Sequence, residues 1–192
     1  MAVFQTGWDS IDSTIKLDGR PIGGLPSSHL TTFIESDTWQ PADYLWAQLK
    51  GQVNDGFIVW IDTMFQRVPT QAKNIILVRW HHDWNDFIDM LADICATTSM
   101  SAIVLDSARG IGESNKIKPL LREIQLRCVQ HDMLGIFLSH ESVDPGTGNT
   151  YWAAETPIRN YSSYVIGEGP RIVLSSVMGP GGNASWLPPR HA

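Results

Sequence analysis

The residues able to do chemistry are few, and their spacing sorts them. His81 and His82 stand side by side before Asp83. Imidazole and carboxylate ligate metals, but no further ligand follows at a spacing that completes a site, so the trio reads as a loop and helix cap. The two cysteines, Cys95 and Cys128, fall in helix-like segments without metal spacing, which suits a reducing compartment. Ser107, Ser139 and His140 offer hydroxyls and a base, yet no Gly-x-Ser-x-Gly elbow presents a serine. Neither a catalytic set nor a metal site is expected. Two further stretches collect cations and aromatic rings, as a solvated helix face and a loop anchored by its aromatics also do. Between Arg109 and Arg127 lie five basic and two acidic residues, with Lys116 and Lys118 inside a Gly110–Pro119 loop. A second loop, Asp144 to Pro157, carries Tyr151 and Trp152, and Arg159 follows just beyond it. Cations for phosphate and aromatic faces for bases are what a single-strand site requires.

Buried strands must hold these groups. Leu30–Ile34, Phe57–Ile61, Ile75–Val78, Ala102–Leu105 and Leu134–Leu138 are short apolar runs rich in β-branched residues, as strands buried on both faces are. Between them run helical patterns at Pro41–Gln52, Trp84–Thr97 and Lys118–Gln130. Strands alternating with helices predict a mostly parallel sheet flanked by helices. Two further runs, Ser163–Ile166 and Arg171–Val177, extend it as strands, and a turn-rich tail begins at Gly179. The 192 residues, 43% hydrophobic and 18% charged, fit one core, and residues 1–178 read as a single domain. A net charge of −6 works against nonspecific nucleic-acid binding. No apolar run nears the ~20 residues that span a bilayer, and the opening residues lack a signal region. A cytoplasmic protein is expected.

The order of motifs resembles the RecA/RadA recombinase core. Thr6-Gly-Trp-Asp-Ser-Ile-Asp and Gly23-Gly-Leu-Pro precede a strand ending at Ile34, as in that family's approach to its phosphate loop. Ile61-Asp62, Asn74-Ile-Ile-Leu, Ala102-Ile-Val-Leu-Asp106-Ser107 and Gly135-Ile-Phe-Leu follow in the family's order. The resemblance covers nearly the whole chain and implies a RecA-like P-loop NTPase core. Asp106 takes the place of the Walker B carboxylate and His140 that of the sensor residue. The two loops above match the family's DNA-binding loops.

The site itself departs from the family. A P-loop needs glycines that let backbone N–H groups wrap phosphate, a lysine, and a hydroxyl for magnesium. Here the stretch is Ser36-Asp-Thr-Trp39-Gln-Pro41-Ala42-Asp43. Pro41 removes a donor, Ala42 the cation, and Asp43 introduces a carboxylate. Met64 stands at the position of the catalytic glutamate and activates no water. Leu174 to Met178 contains no lysine, although the family's bridging lysines lie there. Trp39 is expected to fill the space of the missing nucleotide, and Asp106 to cap the following turn.

The resulting expectation is a catalytically inactive, cofactor-free RecA-like accessory protein in DNA recombination, repair or damage-tolerant synthesis, within a DNA-damage (SOS) response. It would act by protein contact, with weak binding of single-stranded DNA at Lys116, Lys118, Tyr151, Trp152 and Arg159. The ImuA type, a partner of a mutagenic polymerase, is a nearer likeness; a SulA-like cell-division inhibitor is the alternative. Expected partners are a recombinase, a polymerase or a division protein, and not a membrane. Only Ala2–Gln5 precede the first motif, leaving no docking arm, so a monomer or heteromer is expected and not a RecA-type homofilament.

Overall fold

The structure is a computed structural model that describes residues 1–52, 56–67, 74–80, 83–97, 99–112, 114–167 and 172–175. The His81–His82 pair, the 179–192 tail and the residues from Ser176 to Met178 lie outside the described residues.

The chain opens with β1 (Val3–Phe4), α1 (Asp9–Asp12), β2 (Lys16–Leu17), β3 (Arg20–Pro21) and β4 (Leu25–Pro26), paired as two small antiparallel sheets, β1 with β4 and β2 with β3. The main body follows: β5 (Leu30–Glu35), α2 (Ala42–Gln52), β6 (Phe57–Asp62), β7 (Ile75–Arg79), α3 (Trp84–Thr97), β8 (Met100–Asp106), α4 (Ala108–Ile111), α5 (Ser114–His131), β9 (Leu134–Val143), β10 (Thr150–Trp152), α6 (Glu155–Tyr161), β11 (Tyr164–Gly167) and β12 (Ile172–Ser175). The central sheet runs β12-β11-β5-β9-β8-β6-β7, with β10 added along β9. Its strands are parallel except β12 and β10. The protein is therefore α/β, with a mostly parallel central sheet between helices.

The pleat divides each strand between two cores. Leu30, Ile34, Val59, Ile61, Ile103, Leu105, Phe137 and Val165 face the side covered by α3, α4, α5 and α6. Phe33, Ile58, Trp60, Ala102, Val104, Ile136 and Leu138 face the side of α1, α2 and the N-terminal strands. Burial on both faces is why these strands read as continuous apolar runs. The expected strands are present, several extended by polar residues at their C-terminal ends. The stretch from Gly110 to Pro119 is not a loop: α4 ends in it and α5 begins in it, with Pro119 inside the helix. Among the described residues no helix is long and apolar enough to cross a membrane.

One topological fact places the site. β5 and β9 are neighbours, but the chain leaves β5 toward α2 on one face and leaves β9, through β10, toward α6 on the other. Where connections part in this way, a crevice opens beyond the strands' carboxyl ends.

Candidate functional site

A cleft of about 300 Å³ occupies that position, among Glu35, Asp43, Met64, Arg67, Asp106 and Arg109, at the small end of ligand-site volumes. Its floor is built by the end of β6. The Asp62 carboxylate accepts backbone N–H groups from Met64 at 3.2 Å, Gln66 at 3.1 Å and Arg67 at 2.7 Å, folding the following turn back over the sheet, as aspartate side chains do in turns. Thr63 fastens that turn to the end of β8. Its N–H donates to the Asp106 carbonyl at 2.7 Å, its Oγ1 donates to the Ser107 carbonyl at 2.8 Å, and it accepts Ser107 N–H at 2.9 Å. Gly110 must lack a side chain, because a Cβ there would run into Thr63. The Asp106–Ser107 peptide is cis.

The turn delivers Arg67 into the cleft. Its Nε donates to Asp106 Oδ2 at 2.8 Å, the oxygen that also accepts Trp60 Nε1 at 3.0 Å. The guanidinium lies 5.5 Å over the Trp60 ring and pairs at its outer end with Asp43. The side chains of Arg67 and Asp106 are 11% and 6% exposed, whereas that of Asp43 is 91% exposed; the inner pair is buried and the outer one faces water. Burial works against the Arg67 charge, but hydrogen bonds and attraction from Asp106 and then Asp43 hold its pKa above the ordinary value. Burial raises the Asp106 carboxyl, with Arg67 and Trp60 opposing.

Glu35 and His140 stand opposite each other where β5 ends and its pairing with β9 stops. Burial and then the Asp106 charge push Glu35 from 4.5 up to about 7, against the pull of Arg109 and Arg67. Burial and then Arg109 lower the His140 pKa; its Nδ1 is buried without a hydrogen-bond partner among the described residues.

The structure thus brings Ala42, Asp43, Met64 and Asp106 together around one cleft. Ser36 and Trp39 are placed otherwise. They exchange backbone hydrogen bonds, Ser36 N–H to the Trp39 carbonyl at 2.9 Å and Trp39 N–H to the Ser36 carbonyl at 3.2 Å, so these donors serve a tight turn instead of facing an anion. Trp39 does not fill the nucleotide space: its ring packs 5.7 Å from Trp8 and 6.1 Å from Phe33, over the α2 face. Pro41 is buried at the start of α2, its carbonyl accepting Leu45 N–H. Asp106 does not cap the next turn either; Ser107 does, accepting Arg109 N–H. The residues the sequence did not single out are Glu35, Arg67 and Arg109, and only the acid at a strand's last position offered a signal.

The second cluster lies apart, on the β9–β10 hairpin and α6. Tyr151 is exposed. The Trp152 ring has the Arg159 guanidinium 5.5 Å from its centre, and Arg159 is paired with Glu155 at 2.5 Å. Glu141, opposite Trp152, and Asp144 add acid to this hairpin. Lys116 and Lys118 are exposed on the first turns of α5. Among the described residues no cluster of His, Cys, Asp and Glu is arranged to hold a metal ion. No protein-family model and no curated protein matches the chain.

Chemically, the cleft is acidic groups neutralised from within. Removing Arg67 leaves Asp106 buried without its cation, so Arg67→Ala is expected to cost about 3–5 kcal/mol. Asp43→Ala, losing only a solvent-facing partner, is expected to cost no more than about 1 kcal/mol. Urea titrations compare them; equal losses would refute the inner pair as the anchor.

Glu35 gives a pH signature. Its folded pKa lies above its unfolded one, so the folded state binds the proton more tightly, and the resulting stabilisation is full below about 4.5 and is lost as pH rises through about 7. Glu35→Gln is expected to remove this dependence and to be more stable than the parent at about pH 8, by roughly 1–3 kcal/mol. Parallel unfolding curves at the two ends of that range would show the parent falling and the variant level.

Proposed function

We propose that the chain is a RecA-like core that has given up nucleotide and serves as an accessory protein in DNA recombination, repair or damage-tolerant synthesis, acting through contact with a protein partner. The order of sequence motifs and the mostly parallel sheet with its crevice at the strand ends support the RecA-like part of this reading. The observation that carries the loss of nucleotide is Arg67. In P-loop enzymes the Walker B acid helps hold magnesium beside the phosphates. Here the corresponding Asp106 is engaged by the chain's own guanidinium, and Asp43 stands where the phosphate loop would present its hydroxyl. A nucleotide entering the cleft would have to break the buried pair and meet two carboxylates, with unit charges at close range worth several kcal/mol outside bulk water.

Calorimetry with millimolar magnesium-ATP is expected to show no saturable binding for the parent chain or for Ala42→Lys, since Pro41, Asp43 and the Arg67–Asp106 pair remain. Saturable binding by the parent chain would overturn the reading. Co-purification from the native cell is expected to retrieve a recombinase or a polymerase; a division protein retrieved in their place would turn it toward the inhibitor alternative.

Contact with single-stranded DNA is the weaker arm, because Glu141, Asp144 and Glu155 surround the aromatic hairpin. Binding is expected only at low salt, through two or three phosphates at most, with a log–log salt slope of roughly −1.4 to −2.1. Lys116→Ala with Lys118→Ala should flatten the slope by about 1.4. Tyr151→Ala should weaken binding by about 1–3 kcal/mol where a base stacks. No binding at low salt, or an unchanged slope in the double variant, would leave protein contact alone.

A further inference from the structure

We infer that the cleft holds a small zwitterion, an amino acid in the broad sense, with its ammonium on Glu35 and its carboxylate on Arg109. The pleat sets the geometry. Phe33, Leu138 and Val104 face the α2 core, so Glu35, His140 and Asp106, each two residues further along the same strands, turn to that side as well. Glu35 pairs in register with His140, and Asp106 with Leu138, which lays the three acid and base groups across neighbouring strands where the cleft opens. Around them α2 supplies Asp43, the turn after β6 supplies Arg67, and α4 supplies Arg109. These charges do not all cancel. Arg67 is committed twice, to Asp106 and to Asp43, and occupies both acids. Glu35 and Arg109 remain. Both line the cleft, and neither side chain makes a hydrogen bond or an ion pair among the described residues. Glu35 is half-buried and Arg109 exposed; a half-buried carboxyl left without a partner calls for an explanation, because such groups as a rule find one. Ser107 borders the same cavity. Its Oγ accepts the Arg109 backbone N–H at 3.3 Å and gives its own proton to no acceptor among the described residues.

The groups left over dictate the ligand. One acid and one cation are free, so a molecule with a single charge answers one and leaves the other. A pure anion on Arg109 would also face Glu35, Asp43 and Asp106; a pure cation on Glu35 would also face Arg67 and Arg109. A molecule with both an ammonium and a carboxylate answers both at once. Its ammonium donates to the Glu35 carboxylate, and its carboxylate accepts from the Arg109 guanidinium and the Ser107 hydroxyl, as charge-assisted hydrogen bonds. The volume agrees. A cavity of about 300 Å³ equals the share of roughly ten water molecules in the liquid, enough for a free amino acid and too little for a nucleotide. The Arg67–Asp106 pair stays seated throughout, and the site needs no particular protein partner, so it stands apart from the accessory-protein reading.

Calorimetric titration of the full chain tests this with named probes: the common α-amino acids, β-alanine and 4-aminobutanoate offered singly, with acetate and methylammonium as single-charge controls. At least one amino acid is expected to bind saturably, and at least about ten-fold more tightly than either control, the worth of one charged hydrogen bond. Arg109→Ala is expected to bring that amino acid down to the level of methylammonium, and Glu35→Gln to the level of acetate. Far-ultraviolet spectra like the parent's would show both variants folded. The ammonium needs Glu35 ionised, and that group, pushed up to about 7, is faced by His140, Asp106, Asp43, Arg67 and Arg109. Affinity is therefore expected to rise by about ten-fold between about pH 6 and pH 8 in the parent and to stay level in Glu35→Gln. No binding by any of the amino acids, a control that binds as tightly, a variant that binds like the parent, or a parent affinity level across that range would each overturn the proposal.

Discussion

A carboxylate buried at the end of a central strand needs a cation, and here the chain provides it from the loop that follows the neighbouring strand β6. Asp106 is nearly out of water, so its charge survives only through the Arg67 guanidinium and the Trp60 indole N–H on the same oxygen. Much of the surrounding architecture brings that guanidinium into place. The Asp62 turn reverses the chain so that Arg67 points inward. The Thr63–Ser107 hydrogen bonds clamp the ends of β6 and β8 at a fixed separation, and Gly110 lets α4 come close enough not to force them apart.

A buried ion pair is poor evidence for stability in itself, because desolvation takes back most of what attraction gives; breaking it from one side is what costs. The cleft is thus committed more than it is strong. With Arg67 seated, Asp106 is paired, and Glu35, pressed first by burial and then by the Asp106 charge, holds its proton more tightly. A site of this kind differs from an empty pocket. Its inner polar groups are already answering one another, and a ligand for Asp106 must compete with a partner that the fold itself holds in place.

How much of this was legible follows from where the signals lie. Strands buried on both faces announce themselves as β-branched runs, so Ile103–Leu105 and Ile136–Leu138 were readable one by one. Their polar last residues, Glu35 and Asp62, sit outside any apolar period although they shape the cleft. Arg67 falls in a segment without periodicity, and its role exists only once β6 and β8 are adjacent. The start of α5 was hidden by Lys116, Lys118 and Pro119, which read as loop, while the apolar Ile117 and Leu120 that bury it were too few to show a period. Proximity in sequence points Trp39 toward the cleft; Trp8 and Phe33, which draw it to the other core, are neighbours only in space. The likeness of motifs to a recombinase core made the absence of a phosphate loop legible, but not what stands in its place.

The place of β5 in the sheet bears on how the molecule is made. It is flanked by β9, whose Gly135 pairs with Leu30, and by β11, whose Tyr164 pairs with Thr31. Ser27 and Ser28 are likewise fixed by Asp132, more than a hundred residues on. This strand therefore has neither lateral partner until more than a hundred further residues have been synthesised. Loop closure over such distances is entropically costly and places the domain among slow, topology-limited folders. Throughout that interval Leu30, Phe33 and Ile34 are an apolar segment with unpaired backbone on both edges, which makes the nascent chain, more than the finished protein, the state that depends on chaperone protection.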